Sequence, residues 1–176
     1  MQFDLVTDWH LAAPVERVWA LLRDVQGWPN WWPNVAEAER LERGDGEGVG
    51  AVHRIAWTTA LPYRLDFTTR VVAVEPMRRI EIEAWGELDG NGTWTLAPEG
   101  DGVQVRYRWR VAPRKPWMRR LAPLLRPVFA WNHGRVMARG LKGLEARLSG
   151  YSEPASPPPA VSPLSPASSP PSGLTK

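Results

Sequence analysis

The sequence predicts an α+β fold: a curved antiparallel sheet of about six to seven strands wrapped around one long C-terminal helix, with two short helices after the first strand. Three observations carry this. Runs of alternating apolar and polar residues succeed one another from about residue 35 to 111 with only short turns between them. That leaves no crossover helix, which parallel strands need. A single alternating run and a helical pattern precede them. A segment with Met137, Leu141, Leu144 and Leu148 on one helical stripe closes the folded part.

Taken in order, residues 2–11 put Phe3, Leu5, Thr7, Trp9 and Leu11 on one face of a strand. Pro14 suits the first turn of a helix, and Val15, Val18, Trp19 and Leu22 continue it at helical spacing. The run 27–34, GWPNWWPN, holds too much Pro and Asn for a long helix and reads as a short, turn-like one. Strands are expected over 35–42, 51–57, 63–75, 78–85, 93–98 and 103–111, with a turn at 44–50. Asp89-Gly90-Asn91-Gly92 is a strong hairpin signal, because both dipeptides tolerate positive φ. In 116–148, Pro116, Pro123 and Pro127 come early, so the clean helix is expected to start near Pro127.

Composition bounds the chemistry. The 176 residues include no Cys, which excludes disulfides, a thiolate metal site and a Cys nucleophile. Three scattered His suggest no metal site, and no cofactor is implied. No apolar run approaches the roughly 20 residues of a membrane span. The first residues lack a basic region and an apolar stretch, so a cytoplasmic protein is the simplest expectation. The net charge of +3 hides an asymmetry: residues 1–105 balance to −8 and 106–150 to +11. The folded domain is expected over 1–150. Residues 151–176, with 8 Pro and 7 Ser, cannot bury enough surface to order themselves and should be an extended tail.

A long sheet curls, and a helix laid across its concave face encloses a space. Strand phase points Tyr63, Leu65 and Phe67, Ile80, Ile82 and Ala84, Trp94 and Leu96, and Val105, Tyr107 and Trp109 into that space. His53 shares its phase with Ile55 and Trp57. Gln104, Arg106, Arg108 and Arg110 take the solvated face. Eleven Trp is several times normal usage, and so many rings are hard to close-pack against one helix. Gly134, Gly140 and Gly143 weaken that helix, which leaves two readings: room for a ligand or close sheet approach, or simple tolerance.

At this point the chain resembles a known superfamily. Residues 3–149 are similar to the START-like (SRPBCC) proteins, the polyketide cyclase/dehydrase and lipid-transport family with the helix-grip fold. The resemblance rests on the opening strand running into Ala13-Pro14-Val15-Glu16-Arg17-Val18-Trp19, on Trp28-Pro29-Asn30-Trp31-Trp32-Pro33, and on a closing helix with Asn132-His133 and Met137. It implies a deep, mainly apolar cavity between sheet and helix. The fold hosts carriers, sensors and enzymes, so it does not fix a reaction.

The expected function is binding of one small hydrophobic molecule, a lipid, isoprenoid or polyketide-like compound, as carrier or sensor. The expected lining is Trp57, Tyr63, Phe67, Ile82, Trp94, Tyr107, Trp109, His133 and Met137. The alternative is a polyketide cyclase or aromatase-like enzyme using His53, Tyr63, Tyr107 or His133 to assist enolisation. Each also reads as an ordinary hydrogen-bonded wall residue. Of Asn132 and His133, His133 shares the Met137 stripe and is expected to face inward. The segment 113–131 interleaves Arg114, Lys115, Arg119, Arg120 and Arg126 with Trp117, Met118, Leu121, Leu124, Leu125 and Phe129. It suits either a peripheral membrane contact by a lipid-transfer protein or a solvated basic surface with its apolar side chains packed inward. Nucleic acid fits poorly, because no binding module is present and the rest of the chain is acidic. Other motifs fail. GDGEGVG (44–50) lacks the spacing and Lys of a phosphate loop and precedes a strand. Asp89-Gly90-Asn91 lacks the later glycine and glutamate of a calcium loop.

Overall fold

Alternation in the first ten residues builds an edge strand, β1 (Phe3–Leu11), with Trp9 and Leu11 buried and Asp4, Asp8 and His10 exposed. The structure is a computed structural model that describes residues 2–59 and 63–150. The expected tail, 151–176, lies outside the described residues. Six further strands follow a helical excursion: β2 (Val35–Glu42), β3 (Val52–Thr58), β4 (Arg64–Glu75), β5 (Arg79–Gly86), β6 (Leu88–Glu99) and β7 (Gly102–Pro113). They form one antiparallel sheet in the order β1-β7-β6-β5-β4-β3-β2. β1 returns beside β7, from Phe3 opposite Val111 to Leu11 opposite Val103. Register shifts between Val35 and Glu37, Arg40 and Glu42, and Val71 and Ala73 bend the sheet, as bulges do. Its convex face is laced by exposed ion pairs such as Arg106–Asp8 and Arg108–Asp4. Solvent screens such exposed pairs, so they add little to stability.

The excursion is α1 (Val15–Arg23), burying Val18, Trp19 and Leu22, and a 3-10 turn (Val25–Asn30). Asp24 caps that turn by accepting from the Gly27 N–H at 3.2 Å. Trp28, Trp31 and Trp32 follow and are all buried. The concave face is closed by α2 (Pro116–Ser149). The tryptophan turn grips this helix: Trp32 Nε1 donates to the Val136 carbonyl at 3.0 Å. A Cβ at Gly140 would clash with the Trp32 ring, and one at Gly143 would overlap the Trp31 carbonyl. These two glycines therefore serve close approach to the turn, not room for a ligand. Gly134 has nothing within 4 Å of where its Cβ would be.

Two expectations are corrected. The helix does not start near Pro127 but at Pro116, eleven residues earlier. Pro116 takes the first helical position, where a missing N–H costs nothing. Pro123 and Pro127 stand four apart, so their lost backbone bonds fall on one side of the helix. Met118, buried, and Phe129, edge-on to Phe3 at 5.5 Å, tie this stretch to the protein core. The second correction is the hairpin. Asp89-Gly90-Asn91-Gly92 lies inside β6, with Gly90 opposite Val111 and Gly92 opposite Trp109. Its glycines serve packing: a Cβ at Gly92 would stand 2.8 Å from the Trp109 ring and the Tyr107 hydroxyl. The chain reverses around Glu87 instead, where Gly86 takes φ +122° and its N–H reaches Asp89 Oδ1 at 3.3 Å.

Candidate ligand-binding cavity

Sheet and helix enclose a cavity of about 340 Å³. That lies at the lower end of the range of small-molecule sites, roughly 300–1,000 Å³. Alternation along the strands places its wall. β3 supplies His53 and Trp57, β4 supplies Leu65, Phe67 and Thr69, and β5 supplies Ile80 and Ile82. Trp94 of β6 and Tyr107 and Trp109 of β7 continue it, and His133 and Met137 of α2 form the roof. The rings make a connected band: Trp94 stacks on Tyr107 with centroids 4.0 Å apart, and Phe67 bridges Trp57 at 6.4 Å and Trp109 at 5.7 Å.

Eight of the nine expected lining residues stand in this wall. Tyr63 does not. It lines a smaller cavity of about 110 Å³, which shares Thr59, Leu65, Leu88, Trp109, Asn132 and His133 with the larger one. There the Tyr63 hydroxyl donates to Glu87 Oε2 at 2.8 Å and accepts from Lys115 Nζ at 2.9 Å. Glu87 also pairs with Lys115 and accepts the Asp66 N–H at 2.9 Å, so this cluster anchors the β5–β6 turn to the start of α2. Helix phase predicts one inward residue from Asn132 and His133, but both line the cavity. The sequence reading also passed over Trp28, Trp32 and Thr69 as lining. The Trp-Trp-Pro run was a visible signal, but a turn has no period from which to read direction.

Burial sets the electrostatics. His53 is 7 % exposed, and its Nδ1 has no hydrogen-bond partner among the described residues. Burial, reinforced by the charge of Arg40, pushes its pKa below the usual histidine value. Burial pushes His133 down to about 4, with Nε2 3.4 Å from Thr7 Oγ1. Tyr107 is pushed well above the usual phenol value by burial. Near pH 7 the deep wall is therefore uncharged: two neutral imidazoles and a protonated phenol. It can exchange hydrogen bonds, but protonating either imidazole would be costly. Charge gathers at one end, where the exposed residues Arg23, Arg40, Arg43, Asp45 and Glu47 surround the mouth. Among the described residues no group of three or more His, Asp or Glu could hold a metal.

The family model for polyketide cyclase/dehydrase and lipid transport proteins matches residues 2–149. The chain belongs to this family. Solved structures share this fold at low identity. An aromatase/cyclase from Streptomyces superposes with a TM-score of 0.70 at 19 % identity, covering 85 % of this chain and 94 % of its own. A START superfamily protein from Mycobacterium smegmatis gives 0.69 at 17 %, covering 84 % and 97 %. A protein from Thermus thermophilus gives 0.68 at 23 %, covering 86 % and 100 %. A comparison with curated proteins returns no match. The seven-stranded sheet closed by α2 is the helix-grip fold. No helix among the described residues is long and apolar enough to cross a membrane.

Proposed function

We propose that the protein binds one small, mainly apolar molecule between the sheet and α2 and serves as its carrier or sensor. The observation that carries this reading is the composition of the deep cavity wall: aromatic and aliphatic surface with a few uncharged polar groups, among them a buried histidine whose Nδ1 has no partner among the described residues. An unpaired buried nitrogen costs about 1–3 kcal/mol, which a ligand's hydrogen bond would offset. A cytoplasmic setting belongs to the same proposal and rests on a chain without cysteine. So does a peripheral membrane contact through 113–131. Arg120 and Arg126 are exposed without an ion pair among the described residues, and the neighbouring Trp131 is 52 % exposed with Arg135 stacked on it at 5.2 Å.

Native mass spectrometry of protein purified without detergent, followed by solvent extraction, tests the reading. A stoichiometric apolar adduct is the expected result. An empty protein that also fails to take up the neutral fluorophore N-phenylnaphthylamine overturns it. One observation favours a cyclase or aromatase-like second reading: His53 and Tyr107, both able to hydrogen-bond the carbonyl of an enolising ketone, line the same cavity. Turnover of a poly-ketone, lost in His53→Phe with ligand uptake intact, would select that reading.

A further inference from the structure

The described arginines differ in how far the fold neutralises them. Those on the convex face of the sheet are largely neutralised: Arg54 pairs with Glu39, Arg64 with Glu37, Arg70 with Glu42, and Arg108 with Asp4. Arg40 and Arg43, at the cavity mouth, have no ion pair among the described residues. Arg40 lies at the end of β2 directly opposite His53 in register, so its charge stands at the threshold between solvent and the uncharged wall.

The rim's opposing carboxylates are fewer, and one is already engaged. Asp45 Oδ1 accepts the N–H groups of Glu47 at 3.0 Å and Val49 at 2.8 Å, folding the β2–β3 loop on itself. The Gly48 N–H reaches the Asp45 carbonyl at 3.0 Å, and the Gly50 N–H reaches the Val71 carbonyl at 2.8 Å. Gly44, at φ +74°, leaves no room for a Cβ against Ala51 and Val49. The loop is thus a built rim that fixes the starting point of the Arg43 side chain. Arg23 is held by the Glu47 carbonyl at 3.2 Å. Among the charges lining the mouth, Arg23, Arg40 and Arg43 therefore face Asp45 and Glu47, a surplus of one guanidinium, while Asp24, which caps Gly27, also acts on His53.

An apolar cavity with a neutral wall and a mouth carrying surplus guanidinium selects by polarity along its length. We propose that the molecule bound here is an organic anion, with an apolar body in the cavity and one carboxylate or phosphate-type group at the mouth on Arg40 and Arg43. Guanidinium suits this role because its planar fork holds an oxyanion through two parallel hydrogen bonds. His53 stands one strand further in, where it meets the uncharged part of the molecule next to the acidic group. The inference rests on the cavity reading above and narrows it to a ligand class.

The test uses two fluorophores with one skeleton: anilinonaphthalene sulfonate, which is anionic, and N-phenylnaphthylamine, its uncharged relative. The full chain should bind the sulfonate more tightly, and each probe should displace the other. Arg40→Gln/Arg43→Gln should weaken the sulfonate by about fivefold or more and leave the neutral probe unchanged, as expected for loss of about 1 kcal/mol or more from a mouth-side ion contact. Glu47→Gln should tighten the sulfonate. Decanoate should displace it better than decanol, and decyl phosphate distinguishes phosphate from carboxylate preference. Equal binding of both probes, unmoved by the rim variants, overturns the anion inference and leaves the cavity reading standing. Failure of both probes to bind overturns the cavity reading, and this inference with it. The rim residues are exposed, so circular dichroism should show the variants folded.

Discussion

Three glycines on α2 allow one substitution to be tested in opposite directions. Gly134→Ala, Gly140→Ala and Gly143→Ala each raise helix propensity by up to about 1 kcal/mol. At Gly134 nothing stands within 4 Å of the added methyl, so that gain should appear almost whole. At Gly140 the methyl would meet Trp32 Cζ2 and Nε1 at 2.7 Å. Carbon atoms prefer about 3.5–4.0 Å, so helix and turn must part by about 1 Å, forfeiting up to about half of their local dispersion energy. Overpacking of this kind costs about 1–3 kcal/mol. The Trp32–Val136 hydrogen bond, worth about 1 kcal/mol, is strained as well. The net effect at Gly140 is a loss of about 2 kcal/mol. Gly143, against a backbone carbonyl that cannot rotate away, should lose at least as much. In a domain of this size each kcal/mol moves Tm by about 2–4 °C. Thermal melts followed by circular dichroism should therefore show Gly134→Ala rising by about 2–4 °C and Gly140→Ala falling by about 4–8 °C. If Gly140→Ala and Gly143→Ala melt at or above the parent temperature, the helix is not clasped by the tryptophan turn as described.

Other expectations concern pH, the cavity and the helix surface. His133 and His53 have folded pKa values below their unfolded ones, so between about pH 6.5 and 4 the unfolded chain binds more protons and stability falls on acidification. The slope approaches about 1.4 kcal/mol per pH unit for His133, with His53 adding in the same direction, and His133→Leu should flatten it in urea titrations; a profile flat from pH 7 to 4 would contradict the burial. Tyr107→Phe should keep the fold and weaken hydrogen-bonding ligands while sparing purely apolar ones. Trp109→Ala should cost about 3–5 kcal/mol, because its ring packs on Gly92, Tyr107 and Phe67 as core. Intact stability of that variant would move Trp109 from core to lining alone. Co-sedimentation with phosphatidylglycerol vesicles should be salt-sensitive and reduced in Trp131→Ala/Arg126→Gln, whereas binding that survives high salt or is equal on phosphatidylcholine would remove the electrostatic docking.

The sheet and the inward set were legible because a strand's period of two fixes direction once one residue is placed. Phe67, Ile82, Trp94, Tyr107 and Trp109 were read inward from phase alone and stand in the wall. Tyr63 follows the same phase, yet it lies before the first residue of β4, where Lys115 and Glu87 draw its hydroxyl into a separate cluster. The glycine pair in 89–92 was misread because a glycine needed for a turn and one needed beneath an aromatic ring look alike in sequence. Pro123 and Pro127 delayed the expected helix start because local propensity was weighed without the Met118 and Phe129 contacts. The paired and unpaired arginines were not separable at all: that distinction is set by cross-strand register.

The tryptophan turn has an optical consequence. Trp9, Trp28, Trp31, Trp32, Trp57 and Trp94 form one connected set in which each ring lies within 6.5 Å of a neighbour. Indole transition dipoles at such separations couple as excitons, so the near-ultraviolet ellipticity belongs to the array and not to single chromophores. Excitation landing on any member migrates among the rest. A molecule that quenches Trp57 or Trp94 from inside the cavity would darken the whole array, which makes the unlabelled protein its own antenna for whatever enters.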